Sequence, residues 1–172
     1  FSTFCDVFFA CPELDYGDGW DYDKTLNYLK ANPDVDINEF ARKEVEFWNA
    51  HHGAAMDMTH KVHAAYDMAK YESFSQRFKE FSLQLKQYGQ AGGEEVPKIR
   101  AEATHYSVAQ RSQAKSPTHF IDLGDFAKKF TIAPVNAELK KASFNLVQAI
   151  DEMILAKACL LYTSDAADDV LC

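Results

Sequence analysis

The chain has 172 residues, nearly half of them hydrophobic, which is enough apolar surface for a packed core. Its 26 acidic residues outweigh 18 Lys and Arg, and the net charge of -8 opposes attraction to phosphate backbones and anionic lipid, so neither nucleic acid nor a membrane surface is an expected partner. No apolar run approaches the roughly 18 residues that a membrane span needs, so no membrane insertion is expected, and no basic stretch followed by an apolar core and a small-residue cleavage site opens the chain.

The chain opens at Phe1 without a methionine and reads as starting in mid-element, so a longer parent is expected. Asp6–Cys11, DVFFAC, is a short continuous apolar run that stops at Pro12, the pattern of a buried strand. The loop PELDYGDGWDY follows, with Asp18 between Gly17 and Gly19. From Asp23 the spacing predicts a helix with Leu26 and Leu29 on one face and Tyr22 one turn earlier, stopped by Asn32-Pro33. A second helix is predicted from about Asp36, burying Ile37, Phe40, Ala41, Val45 and Trp48.

Between Met58 and Tyr66 the β-branched and aromatic residues alternate roughly as in a strand, and Asp67 is placed to cap a long helix ending near Tyr88. QAGGEEV is a loop, Glu95 to Tyr106 a short helix, and THFIDLGDFAKKF a strand-like start that passes into a helix. After Pro134 a last amphipathic helix is predicted from Asn136 to about Ala158. Two strands among long helices indicate α/β construction, with further strands of the sheet expected upstream of Phe1. The closing run from Cys159, CLLYTSDAADD, resembles the conceptual translation of a transposase adapter used in sequencing libraries, so residues 159–172 are expected to be adapter-derived and residues 1–158 to be the natural portion.

Three groups of residues have chemical potential. An acid between two glycines beside Trp20 suits the base of a cationic pocket, since a carboxylate held by loop amides and shielded by an aromatic wall pairs with guanidinium or ammonium. The same residues also suit an Asx-turn that only shapes the loop. His51, His52, His60 and His63 lie near Asp57, but their spacing fits no established metal site, and they read as solvated loop and strand histidines. Cys5 and Cys11 have no histidine close in sequence and read as small buried hydrophobes, while four cysteines so unevenly spread define no disulfide framework.

The segment DVFFACPELDYGDGWDY, Asp6–Tyr22, resembles the stretch that follows the catalytic cysteine in clostripain-family peptidases, a strand, a small-residue and Glu-rich turn, then PGDGWDY. HAAYDMAKY, His63–Tyr71, is similar to the family's LSAIDLSKL stretch, with Asp67 and Lys70 in place, and FIDLGDFAKKF, Phe120–Phe130, to its YIDLYDFA stretch. The three occur in the family's order and are spread across most of residues 1–158, from Asp6 to Phe130. Departures are Cys11, where the family often has Ser, and His63-Ala64 in place of Leu-Ser.

The resemblance implies a partial caspase-like α/β/α sandwich, predominantly helical in this chain, and cleavage after Arg or Lys by a His-Cys dyad. It implies peptide or protein substrates with basic residues, a bacterial secreted or cell-surface parent, and, as in several members, autoproteolytic maturation and calcium dependence. The family's cysteine stands in a DACLM-like motif farther upstream of the GDG turn than this chain reaches. No catalytic residue therefore maps here, and the N-terminal half of the same domain is expected as the missing partner. Asp18 matches the acid at the base of the specificity pocket, with Trp20 and Asp21 adjoining it as substrate-binding candidates. The alternatives are a non-catalytic helical interaction module and a catalytically dead homologue.

Overall fold

In the computed structural model, which describes residues 3–11, 19–52, 62–105 and 121–159, the chain is mixed α/β, mostly helical, with one three-stranded sheet. It divides into two compact units, one made of Phe1–Met68 with Ile154–Cys172 and the other of Ala69–Met153.

The first unit contains strand β1 (Val7–Ala10), helices α1 (Tyr22–Ala31) and α2 (Ile37–His52), and strands β2 (Val62–Asp67) and β3 (Ile154–Cys159). The strands run antiparallel in the order β1-β2-β3. Phe9 stands opposite Ala65 and Ala10 opposite Ala64, while His63 pairs with Ala158 across a register that shifts between Ala65 and Tyr66. Side chains alternate between faces along a strand and pair across it, so Phe9 and Cys11 share a face with Ala65 and His63.

Helix α2 covers that face. Asp36 starts it by accepting from the Asn38 and Glu39 N–H groups at 2.9 and 3.2 Å. Its buried residues are Ala41, Glu44, Val45, Trp48 and His52, a stripe at helical spacing. Ala41, Val45 and Trp48 form the core with Ala65, Leu155 and Ala158. The Arg42 guanidinium donates to the Leu155 carbonyl, tying α2 to β3. Ile37, predicted to be buried, is exposed, because the stripe that meets the sheet is rotated toward Glu44 and His52. In α1, Tyr22 and Leu26 are exposed as well, and the helix meets α2 instead through Tyr28, packed edge-on against Phe47 at 5.7 Å.

The second unit holds α3 (Tyr71–Gln90), α4 (Glu95–Glu102), α5 (Leu123–Ile132) and α6 (Ala137–Met153). Asp67 does not cap α3. It ends β2, and a 3-10 turn over Met68–Lys70 leads into the helix. The core joins Phe81, Ile99, Phe126, Phe130, Leu139 and Leu146, with Phe81, Phe126 and Phe130 meeting edge-to-face at 5.0 to 6.2 Å. Ala127 and Ala142, both fully buried, allow the close approach of α5 and α6.

Of the strand-like start predicted before α5, residues 118–120 lie outside the described residues; Ile121 forms a bridge with His105, and Asp122 then caps the helix by accepting from the Asp125 N–H at 2.6 Å. The last helix ends at Met153, and Ile154–Cys159 is a strand rather than the final turns of that helix. ILAKAC contains good helix formers, so local propensity extends the helix, but pairing with β2 supplies the backbone hydrogen bonds that decide the outcome.

Asp125 fastens the end of α4 to α5. One carboxylate oxygen accepts from the Thr104 N–H at 2.7 Å and the other from Lys129 at 2.6 Å. Partial burial pushes this carboxyl up, but the Lys129 and Thr104 hydrogen bonds outweigh it and hold the value below the usual 3.8. A carboxyl lowered on folding stabilises above its unfolded value, and that contribution is lost as the pH falls through the folded value. Asp125→Asn should therefore cost about 1–2 kcal/mol at pH 7 in denaturant unfolding, with the gap to wild type closing below about pH 4. A gap that stays constant down to pH 2 would contradict the assignment.

Candidate functional site

The strongest cluster of chemically capable side chains lies on the β1–β2 face under α2. His63, on β2, is fully buried, and so are Glu44 and His52 of α2. The His63 Nε2 and a Glu44 carboxylate oxygen are 3.0 Å apart. A carboxylate only accepts, so Nε2 carries a hydrogen, and in the neutral ring the lone pair is then on Nδ1. That nitrogen faces the Cys11 Sγ at 3.9 Å. Cys11 follows the last residue of β1, and the register that sets Ala10 opposite Ala64 carries on to bring Cys11 opposite His63.

Aromatic rings fix the imidazole plane. Trp48 stacks on His63 with centroids 4.6 Å apart, Phe9 lies parallel to it at 6.2 Å, and Trp20 presents an edge at 5.1 Å. Cys11 and Trp20 are half-buried, whereas Glu44 and His63 are fully buried. Cys11, His63 and Glu44 form a chain rather than a ring of donors. The carboxylate and thiol occupy opposite nitrogens of the imidazole, which suits proton transfer and not chelation. Among the described residues no three His, Cys, Asp or Glu side chains are grouped to hold a metal ion.

His52 has a different role. Its Nε2 lies 2.8 Å from the Gly19 carbonyl oxygen and donates to it. Gly19 has φ +66°, in the left-handed region that favours glycine. A buried imidazole thus pins the turn that precedes α1 in a backbone conformation that only glycine takes without strain.

Of the substrate-binding candidates, Asp18 lies outside the described residues, as do Asp57 and His60. Trp20 packs edge-on against Phe9 at 5.6 Å and against His63. Asp21 caps α1, accepting from the Lys24 N–H at 3.1 Å and from its ammonium at 2.9 Å, with His51 Nδ1 at 3.8 Å. The hydrogen bond from the Lys24 side chain, followed by that from its backbone, holds the Asp21 carboxyl below the ordinary carboxylate value.

The contact of Cys11 with His63 joins residues far apart in the chain and leaves no local signal. A trace did exist in α2, where Glu44 and His52 fall on the same stripe as Ala41, Val45 and Trp48. Polar side chains at core-facing helix positions need buried partners. His52 and His63 are accordingly buried rather than solvated.

Removing one member of the Glu44–His63 pair leaves the other buried without its partner, so Glu44→Ala should lower unfolding stability by about 3 kcal/mol. Glu44→Leu combined with His63→Leu should recover at least half of that loss, because no buried polar group is stranded. Additive losses in the double variant, read by denaturant unfolding, would contradict the pairing. Comparison with protein-family models gives no match to the chain, and comparison with curated proteins gives none either.

Proposed function

We propose that the chain belongs to a cysteine endopeptidase of the clostripain type that cleaves after Arg or Lys, and that it contributes the side of the catalytic domain receiving the basic side chain. On this reading the fold is part of a caspase-like α/β/α sandwich, and the His-Cys dyad lies upstream of Phe1. The support is the ordered run of three resembling segments, Asp6–Tyr22, His63–Tyr71 and Phe120–Phe130. The single observation that carries most weight is the fixed backbone at Gly19-Trp20, directly after Asp18 in sequence, with Gly19 at φ +66°, its carbonyl held by His52, and Trp20 packed on Phe9.

A pocket acid gains from fixed flanking backbone, since a carboxylate that is already positioned spends little ordering entropy in pairing with a guanidinium. The roles of the three candidates then separate. The Asp21 carboxylate is engaged with Lys24 and the Trp20 ring with its aromatic neighbours, so both shape the turn, and Asp18 meets the substrate cation. In the intact enzyme the cysteine thiolate attacks the scissile carbonyl, the histidine transfers the proton, and backbone amides stabilise the oxyanion. Asp18 acts by fixing the register of the basic side chain relative to that chemistry.

The test is to read the gene upstream of Phe1 and assay its product on fluorogenic peptides ending in Arg, Lys or Ala, with Asp18→Ala alongside. Cleavage of the Arg and Lys peptides is expected, with kcat/KM in Asp18→Ala falling about 100-fold, or ~2.7 kcal/mol. The absence of an upstream His and Cys would remove the peptidase reading, and cleavage indifferent to Asp18 would remove the pocket assignment.

A further inference from the structure

We propose that Cys11, His63 and Glu44 act as nucleophile, base and positioning residue, making Cys11 a reactive thiol site for small disulfides. The inference does not depend on the peptidase reading. Nothing in a structural role for the Glu44–His63 pair requires a thiol at the other ring nitrogen. That nitrogen nevertheless faces Sγ at 3.9 Å, while Nε2 is held by a fully buried carboxylate at 3.0 Å. A nucleophile, a base within reach of it, and a third group orienting the base are the recurring parts of an activated cysteine.

The step follows from the order of these groups. The Cys11 S–H proton passes to His63 Nδ1, and the imidazolium so formed is stabilised by Glu44 across the ring. The thiolate attacks one sulfur of a disulfide R–S–S–R, a Cys11–S–S–R bond forms, and the original S–S bond breaks. The departing R–S⁻ takes the proton from Nδ1 and leaves as R–SH. One disulfide and one thiol give one mixed disulfide and one thiol, so no further oxidant is needed. Disulfide exchange develops charge on sulfur alone and needs only a thiolate and a proton donor, both of which the cluster provides. Acyl transfer would need amide donors for an oxyanion in addition. Phe9 and Trp20 beside the imidazole suit a disulfide with an aromatic substituent.

The probe is 5,5′-dithiobis(2-nitrobenzoate) reacted with the full chain, with thionitrobenzoate release followed in time and the labelled cysteine assigned by peptide mass mapping. Cys5 and Cys11 are both half-buried and neither forms a disulfide, so Cys5 serves as a control within the same molecule. Cys11 should react about tenfold faster than Cys5 near neutral pH. His63→Gln keeps an N–H donor for Glu44 but removes the base, and Glu44→Gln keeps the shape but removes the charge. Each should slow Cys11 about tenfold. Lowering a thiol's acid constant by about two decades costs about 100-fold in thiolate and returns about tenfold in nucleophilicity.

The pH of half-maximal Cys11 reaction should rise in both variants, and the Cys5 rate should not change. Among the described residues, the titratable groups at the imidazole are Cys11 from the end of β1 and Glu44 from α2, and His52 of α2 packs on Trp48, which stacks on the imidazole. A purely structural role would expose Cys11 and raise its rate. The inference is overturned if Cys11 reacts no faster than Cys5, or if its rate and pH profile ignore both substitutions. Where a variant fails to show a cooperative melt, the wild type decides. A Cys11 that reacts only near the ordinary thiol range of about pH 8.5 overturns the inference equally.

Discussion

The pairing of β1 with β2 is the constraint on which the first unit depends. With Phe9 opposite Ala65, Cys11 falls beside His63, and both residues face α2. A slip of one residue would turn Phe9 and Cys11 to the other face and leave His63 against backbone and small side chains. The same register supports Glu44. A carboxylate at 1 % exposure is costly without a partner, and the partner is supplied only if β2 presents His63 at the height of the α2 stripe where Glu44 stands. Trp48, in the next turn of that stripe, then stacks on the imidazole and fixes its plane.

The second unit solves the problem of interior polar groups locally. Ser143, fully buried, donates to the Leu139 carbonyl one turn earlier in its own helix at 2.7 Å. Asp122 and Asn136 cap α5 and α6 through their own following N–H groups, and Asp125 reaches only as far as the end of α4. Its core is accordingly apolar, an aromatic trio filled in by Leu and Ala. The first unit buries Glu44, His52 and His63, and each of them is satisfied by a residue distant in the chain. Buried groups held by long-range partners are expensive to retain by packing alone, and they are where chemistry concentrates.

Two capable features therefore come from one short stretch of chain. Gly19, before α1, is held by His52, and the residue at the strand end is engaged by His63, so α2 and β2 support both. The proposed basic-residue pocket uses the turn, and the proposed thiol site uses the strand end. Each can be tested without the other, because one reads peptide cleavage and the other reads sulfur reactivity.

Much of the fold was legible in the sequence. The strand in the apolar run Asp6–Cys11, the Asn32-Pro33 stop, Asp36 at the start of α2 and the Pro134 break before α6 are local signals, carried by fixed dihedrals, missing N–H groups and capping side chains, and they hold in the structure, although β1 is only half-buried where a buried strand was expected, because it lies at the edge of the sheet. The helical spacing of Ala41, Val45 and Trp48 also named the buried side of α2. What no local rule supplied was the strand at Ile154–Cys159, where pairing with β2 overrode helix-favouring residues, and the shift of Asp67 from helix cap to strand end. The thiol, imidazole and carboxylate likewise came together only in three dimensions. Cys11, Glu44 and His63 belong to three separate elements, and their juxtaposition depends on sheet register and helix rotation, which are set by burying both faces at once.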